Sequence, residues 1–198
     1  MTEDTVDPRA REVLDFWFGA AGSAEYGRPC KMWFRKDEAF DAQLRERFGA
    51  VLEAACAGEL DAWAATPEGS LALVIVLDQF SRNCHRGTPR AFAADDRALA
   101  LSRQLVASRA DRALPTLYHR VFVYLPFEHA ESVEAQRESL RLFGELRHEP
   151  DGEDYYGYAV RHAKVIERFG RFPHRNAQLE RPSSEAELAF LREPGSGF

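Results

Sequence analysis

Residues 66–83, TPEGSLALVIVLDQFSRN, contain the longest apolar run of the chain, and its conformation decides the fold class. By periodicity alone, the run LALVIVL at 71–77 fits a buried strand as well as a buried helix. Thr66 followed by Pro67 is typical of a helix start, with threonine as the cap and proline in the first turn. Because the segment continues to about Asn83, it has the length of a helix. We therefore predict a helix that is buried on most of its sides.

Similar helix signals occur along the rest of the chain. Asp7 before Pro8 predicts the start of a first helix, and Asp37 predicts the start of a second helix that ends at Gly58. Further helices are expected over 91–108, 114–126, 132–147 and 154–169. We expect Pro126 to end or kink its helix. Ser184 with Glu187 forms a capping box for a last short helix.

No long alternating run supports a β-sheet, so the sequence predicts an all-α fold. The connections are short, and neighbouring helices are therefore expected to pack as antiparallel hairpins. With 198 residues, the chain is expected to form a single domain over 1–198. Residues 1–6 are expected to form a flexible N-terminal arm and residues 192–198 a C-terminal tail.

The composition excludes several functional classes. The chain has a formal net charge of -6 and a pI of about 5.6, which argues against a nucleic-acid-binding protein. The N-terminal residues have no apolar segment typical of a signal peptide, and no run is long enough to cross a membrane. The three cysteines are widely spaced and fit no zinc pattern. We therefore expect a cytoplasmic protein with reduced thiols, no membrane contact, no metal and no cofactor.

The first polar segment is LDQFSRNCHRG at 77–87. Asp78 and Arg82 are four residues apart and can form an ion pair on one face of a helix. One interpretation is that Asp78 neutralises a buried arginine, because buried charges need partners. The other interpretation is that Arg82 and Arg86 bind an anion, because a guanidinium group matches the geometry of a carboxylate or phosphate.

The second polar segment is YLPFEHAE at 124–131. Pro126 is expected to place Glu128, His129 and Glu131 at a helix junction. A Glu–His pair can transfer protons or bind a metal, but a metal site needs further ligands and the signal for one is weak. The competing interpretation is a structural hydrogen-bond network.

The third polar segment is RHAKVIERFGRFPHRN at 161–176. His162 lies on the apolar stripe of its helix and should face inward, either as a satisfied core residue or as a catalytic group. Gly170 is expected to end this helix, and Pro173 to prevent it from resuming. The cations that follow are therefore held on a rigid, non-helical corner. Among these cations, we assign Arg171, His174 and Arg175 to ligand binding.

These segments, together with VLDFWFG at 13–19 and KMWFRKDEAFD at 31–41, closely resemble the bacterial family catalogued as domain of unknown function 924. The resemblance extends from about Val13 to Phe198. It implies an all-helical protein with a tetratricopeptide-like arrangement of helix hairpins. The family has no established activity, so the resemblance identifies neither an activity nor catalytic residues. Ser81 replaces the proline of the family pattern LDQFPRN. A proline would kink the helix there, so a weaker kink is expected in this chain.

Three hypotheses follow for function. The first places the three polar segments around one pocket that binds a small anionic ligand. In that pocket Asp78, Arg82, Arg86, Arg171, His174 and Arg175 bind the ligand, and Glu128, His129 and His162 are candidate catalytic residues. The second is a tetratricopeptide-like module that binds a peptide or protein on a concave surface. In the third, the polar groups only fix the packing of the helices. The sequence does not decide whether the protein is an enzyme.

Overall fold

The computed structural model describes residues 6–197, and all regular secondary structure within them is helical, without β-strands. The prediction of an all-α fold is confirmed. The α-helices of this part of the chain are α1 (Pro8–Phe18), α2 (Glu38–Ala57), α3 (Pro67–Val74), α4 (Ser81–Cys84), α5 (Asp95–Ala107), α6 (Leu117–His129), α7 (Val133–Leu146), α8 (Gly152–Phe169) and α9 (Glu185–Phe190). None of them combines the length and the apolar character of a membrane span.

Most helices begin where the sequence predicts. The side chains of Asp7, Asp37, Thr66 and Ser184 each accept a hydrogen bond from a backbone N–H of the helix that follows. These bonds satisfy donors that the first helical turn leaves without a partner. At the other end of α2, Gly58 adopts a left-handed conformation, which glycine tolerates better than other residues.

The apolar segment is helical from Pro67 to Asn83, after the predicted cap at Thr66, but the helix is not regular. Between α3 and α4, residues Ile75–Phe80 form a π-helical turn, and all six are buried. The turn immediately precedes Ser81, so the helix departs from α geometry here without the proline of the family pattern. Turns of this kind inside α-helices are frequent at functional sites, because they reorient the side chains that follow.

The chain divides into two compact units. The first contains the residues up to Arg86 and Arg90–Pro126, and the second contains Gly87–Pro89 and the residues from Phe127 onward. The predictions of one domain over 1–198 and of a tetratricopeptide-like arrangement stay predictions. The flexible arm expected over 1–6 lies, except for Val6, outside the described residues, as does Phe198 of the expected tail.

In the first unit, α3 and the π-helical turn form the centre. Helices α1 and α5 pack against α3, and α2 packs against the π-helical turn and α4. The side chains from Leu71 to Leu77 are completely buried. This burial confirms the prediction that the segment is enclosed on most of its sides.

The irregular segment between α1 and α2 is attached to the first unit through Trp33. Its indole Nε1 donates a hydrogen bond to the carbonyl oxygen of Trp17, at 2.9 Å. The neighbouring Phe34 remains 59% exposed, although its ring stacks on Phe122. The hydrogen bond of Trp33 and the ring contact of Phe34 therefore both attach the segment to the first unit.

In the second unit, α7 and α8 pack against each other over most of their length. They are joined by a short loop in which Asp151 has a positive φ, and they form the hairpin that short connections predict. The chain after α8 forms a 3-10 turn at Pro173–Arg175, and α9 follows. This turn packs beside the end of α6, and that contact positions the candidate site.

Candidate functional site

The last turn of α6 carries Glu128 and His129. The helix contains Pro126 and continues to His129, so Pro126 does not end it, and the alternative that Pro126 kinks it stays a prediction. Gln136 of α7 stabilises this end, because its Nε2 donates to the carbonyl oxygens of Phe127, Glu128 and Ala130 at 3.3, 2.7 and 2.9 Å. A side chain that caps the last carbonyls replaces the helical partners that these groups lack.

Glu128 reaches across to His162 of α8. Its Oε1 lies 3.1 Å from His162 Nδ1, and the same nitrogen lies 3.0 Å from the carbonyl oxygen of Tyr158. Both side chains are buried. The contacts place the proton of the neutral imidazole on Nδ1, since both neighbours are oxygen acceptors. The prediction that His162 faces inward is confirmed.

The environment of His162 favours its neutral form. Burial lowers the pKa of His162 to about 3, the carbonyl of Tyr158 opposes this shift, and the positive charges of His129, His174 and Arg175 add to it. The last three effects share one cause, because a nearby cation disfavours protonation of an imidazole. His129, His174 and Arg175 therefore each disfavour a positive charge on His162.

Phe172 lies at the centre of this group. Its ring centroid is 5.5 Å from that of His162 and 5.6 Å from that of His174. The guanidinium carbon of Arg175 is 4.8 Å from the same ring, and Arg175 Nη2 donates to the carbonyl oxygen of His129 at 3.0 Å. We call Glu128, His129, His162, Phe172, His174 and Arg175 the Phe172 cluster.

The backbone supports the Phe172 cluster. Gly170 ends α8 in a left-handed conformation, as predicted, and the backbone N–H of Phe172 donates to Glu131 Oε1 at 2.7 Å. Glu131 also accepts two hydrogen bonds from Arg181, at 2.6 and 2.9 Å. Burial alone would raise the pKa of Glu131, but these bonds and the nearby charges of Arg181 and Arg175 lower it. Glu131 is therefore an ionised anchor for this corner.

Arg171 belongs to a neighbouring structure rather than to the Phe172 cluster. Its guanidinium group binds both carboxylate oxygens of Glu187, at 2.6 and 2.8 Å, and the carbonyl oxygen of Pro182. Glu187 also accepts a hydrogen bond from the backbone N–H of Ser184, which completes the predicted capping box. Arg171 thus attaches the start of α9 to the residues after α8, and its predicted role in ligand binding stays a prediction.

In the first unit, the predicted pair of Asp78 and Arg82 is confirmed, with 3.0 Å between Asp78 Oδ1 and Arg82 Nη1. Arg82 also binds both carboxylate oxygens of Asp95, at 2.8 and 2.9 Å. Two carboxylates therefore face one guanidinium group, whose side chain is only 18% exposed. This geometry favours neutralisation of a buried arginine over an anion-binding role.

Arg86 has a similar partner. Its Nε and Nη2 donate to the carboxylate of Asp41 at 2.6 and 2.9 Å, and Asn83 donates to the same carboxylate at 2.8 Å. Burial would raise the pKa of Asp41, but these hydrogen bonds and the charge of Arg86 lower it. These contacts connect α2 to the residues that follow the π-helical turn.

The candidates thus separate into two groups. The second and third polar segments meet in the Phe172 cluster, whereas Asp78, Arg82 and Arg86 form ion pairs within the first unit. The prediction that all three segments line one pocket stays a prediction. Among residues 6–197, no group of three or more histidine, cysteine, aspartate or glutamate side chains is arranged to bind a metal ion.

Sequence reasoning missed the carboxylates and the arginine that complete these contacts. These partners of the candidate residues are Asp41, Asp95, Arg181 and Glu187. Charged residues are usually exposed, and nothing in the local pattern of Asp41, Asp95 and Arg181 sets them apart. Only Glu187 carried a signal, because the capping box predicts that its side chain turns back toward Ser184.

Comparison with known proteins places the chain among proteins without an assigned activity. It is similar to a protein of unknown function from Agrobacterium tumefaciens, ATU0120, whose solved structure matches with a TM-score of 0.81. The two sequences are 39% identical, and the match covers 93% of this chain and 97% of the other. A search of curated proteins gives no match. The model of a bacterial family of unknown function, DUF924, matches residues 13–195, and the chain therefore belongs to that family.

Proposed function

We propose that the Phe172 cluster of the second unit binds a small anionic ligand. The observation that carries the proposal is that the guanidinium group of Arg175 and the imidazoles of His129 and His174 gather around the neutral His162, in a chain of net charge -6. An acidic protein gains no general solubility from such a cluster. Local positive groups in an acidic chain are instead typical of sites that hold a negative ligand.

The charges of the cluster support this proposal. Its positive residues all lower the pKa of the central His162, after the larger effect of burial. A field that disfavours an added proton favours an added anion at the same place. A bound carboxylate or phosphate would therefore reduce repulsion among these residues, and a guanidinium group binds both anions well.

The burial of the cluster supports a binding site with a rigid base. Glu128, His162 and Arg175 are buried, whereas His129 and His174 are partly exposed to solvent. The two exposed imidazoles can therefore meet a ligand first, while the buried groups keep their geometry through contacts with the backbone. Preorganised groups of this kind lose little entropy when a ligand binds.

The pair of Glu128 and His162 gives the same site a potential acid–base function. A buried carboxyl group at 3.1 Å from a neutral imidazole can exchange a proton with it. In the alternative without a ligand, the same contacts serve only to hold α6, α8 and the turn at Pro173–Arg175 together. Measurements of ligand binding and of protein stability distinguish a binding site from a structural network.

The test is the change in melting temperature of the protein in titrations with phosphate, sulfate and a series of small dicarboxylates. A binding anion stabilises the folded state by an amount that grows with its concentration, reaching about 2.7 kcal/mol at one hundred times its Kd. We expect Arg175→Met to abolish this stabilisation. Arg137→Met is the matched control, because Arg137 is exposed on α7 of the same unit.

The stability of the variants without ligand provides the second readout. For a binding site, Arg175→Met and Glu128→Gln should cost little stability or increase it, since functional charges are often arranged against stability. If both variants lose about 3 kcal/mol or more and no anion stabilises the parent protein, the Phe172 cluster is a structural network.

A further inference from the structure

The first unit contains an open groove that the proposed function does not use. It has a volume of about 720 Å³ and lies between the end of α1, the irregular segment that follows and one residue of α2. This volume falls within the range of about 300–1,000 Å³ that small-molecule sites occupy. Four aromatic residues line it, Phe16, Trp17, Phe18 and Trp33, and the last three are largely buried.

The aromatic base of the groove is rigid. Trp17 and Trp33 are both buried, and the hydrogen bond from the Trp33 indole to the Trp17 carbonyl oxygen holds them together. Gly19 turns the chain at the end of α1 with a φ of 82°, and a Cβ there would lie 2.9 Å from Ser23 Oγ. Glycine adopts this φ far more readily than other residues, and a Cβ would also lie 3.0 Å from the backbone nitrogen of Tyr26. These contacts preserve the shape of the groove in the absence of a ligand.

The rim of the groove carries charged side chains of both signs. Arg28, Lys31 and Arg47 line it, against Asp15 and Glu25. Arg47 forms an ion pair with Glu12 outside the groove, at 3.0 Å. Within residues 6–197, no carboxylate forms an ion pair with the exposed Arg28 or Lys31. Two cations at the rim are therefore available to a ligand.

We propose that this groove binds a small aromatic anion. Its ring would pack on the aromatic base, because offset and edge-to-face contacts between rings stabilise a complex beyond the burial of apolar area. Its carboxylate or phosphate would pair with Arg28 and Lys31, since both cations lie at the rim where a charged group keeps contact with water. This site is independent of the Phe172 cluster.

Cys30 supplies a reporter for the proposal. It lines the groove between Pro29 and Lys31, and its thiol is exposed. Cys56 is also exposed but does not line the groove, so it provides a matched control within the same unit. A ligand in the groove must shield Cys30 from a thiol reagent and leave Cys56 unaffected.

The experiment follows the alkylation of both cysteines by N-ethylmaleimide, with peptide mass spectrometry as the readout. The probes are 2-naphthoate and 1-naphthyl phosphate, and the uncharged control is 2-naphthylmethanol. At ten times the Kd of the probe, we expect the rate at Cys30 to fall about tenfold, because only the free protein reacts. The rate at Cys56 should not change, and the uncharged control should protect Cys30 much less.

Variants of the rim test the role of charge. We expect Arg28→Gln and Lys31→Gln each to weaken protection of Cys30 by either anion, whereas Arg103→Gln, at an exposed position of α5, should not. The proposal would be overturned if neither anion protected Cys30, or if the uncharged control protected Cys30 as well as the anions do. It would also be overturned if the anions protected Cys56 to the same extent as Cys30, or if both rim variants kept the protection of the parent protein. Arg175→Met should leave protection of Cys30 intact, so this result is independent of the proposed function.

Discussion

Four partly buried arginines each bind one carboxylate through two nitrogen atoms. The pairs are Arg82–Asp95, Arg86–Asp41, Arg171–Glu187 and Arg181–Glu131. The planar guanidinium group presents two parallel donors, which fixes the orientation of both side chains as well as their distance. At the scale of the residue, these pairs therefore determine where the helices and turns that carry them are held.

Arg175 differs from these four in its surroundings. It is only 6% exposed, it stacks on Phe172, and its Nη2 donates to a backbone carbonyl oxygen. The rings of His162 and His174 lie against the same Phe172 ring, and the ring of His129 lies beside that of His162. Its position between the Phe172 ring and the backbone of His129 makes Arg175 the first residue to test in the proposed anion site.

His119 gives a prediction for the dependence of stability on pH. Its ring stacks on Phe18 at 3.9 Å, and its Nδ1 lies 2.7 Å from the hydroxyl of Thr116. Burial lowers the pKa of His119 to about 4, and the charge of Arg11 adds to this effect. In the unfolded chain the pKa of His119 returns to about 6.5. Between pH 4 and pH 6.5, His119 is therefore protonated in the unfolded state and neutral in the folded state. Stability is therefore complete above pH 6.5 and falls as the pH is lowered toward 4.

We expect the free energy of unfolding to fall by on the order of 2 kcal/mol from this residue between about pH 6.5 and pH 4. The measurement is urea unfolding at several pH values, for the parent protein and for His119→Gln. The variant should be less stable near neutral pH, because it loses the ring contact with Phe18, but its stability should vary less with pH. If the free energy of unfolding depended on pH in the same way in both proteins, His119 would not remain neutral in the folded state on acidification.

At the scale of the element, the sequence predicts starts of helices better than their interiors. Asp7, Asp37, Thr66 and Ser184 form caps through contacts within three residues, so local sequence is sufficient. No comparable local signal in the sequence predicts the π-helical turn at Ile75–Phe80. All of its residues are buried, and an apolar run that is enclosed on every side has no periodicity to reveal a change in helical geometry.

Pro126 shows the limit of the same reasoning. Proline removes one backbone hydrogen bond and disfavours continuation of a helix, yet α6 extends three residues beyond it. The final carbonyl groups of α6 are satisfied by Gln136, which lies on the next helix and is buried. The contribution of a side chain from another element cannot be read from the sequence around the proline.

Helix α8 offers a matched pair of glycines that tests the packing of the second unit. Gly152 is buried in the first turn, where a Cβ would collide with the carbonyl oxygen of Leu146. Gly157 lies in the interior of the same helix, and a Cβ there would have no atom within 4 Å. The same substitution should therefore have opposite effects at the two positions.

We expect Gly152→Ala to lower the free energy of unfolding by more than about 2 kcal/mol, because backbone atoms must move to relieve the collision. Gly157→Ala should raise it by about 0.5–1 kcal/mol, since alanine restricts the unfolded chain and favours the helix. The measurement is urea unfolding followed by circular dichroism. Equal effects of the two substitutions would contradict the close approach of α8 to the end of α7.

At the scale of the whole molecule, the sequence predicts the fold class but only part of the candidate site. Hydrophobic spacing identifies inward-facing residues such as His162, which is 5% exposed, because burial follows from the helical period. It does not identify which charges meet. Asp41 and Arg86 are 45 residues apart, and Glu131 and Arg181 are 50 residues apart. Such pairs depend on how helices pack, and packing is a property of the complete chain.

The three thiols of the molecule provide a further prediction on this scale. Cys30 and Cys56 are exposed, and Cys84 is buried in α4. Burial raises the pKa of Cys84 to about 11, the charge of Arg45 opposes this shift, and the charges of Asp41 and Glu53 add to it. Only a thiolate reacts at an appreciable rate, so both burial and this pKa protect Cys84 in the folded protein.

We expect a thiol reagent to modify two cysteines of the folded protein and all three after denaturation without a reductant. Burial raises the pKa of Cys56 as well, so Cys56 should react more slowly than Cys30. Cys56→Ser should remove one of the accessible thiols and leave the slow reaction of Cys84 unchanged. Rapid modification of three thiols in the folded protein would contradict the burial of α4, and fewer than three after denaturation would indicate a disulfide. Because α4 directly follows the π-helical turn, the rate at Cys84 measures how often the centre of the first unit opens to solvent.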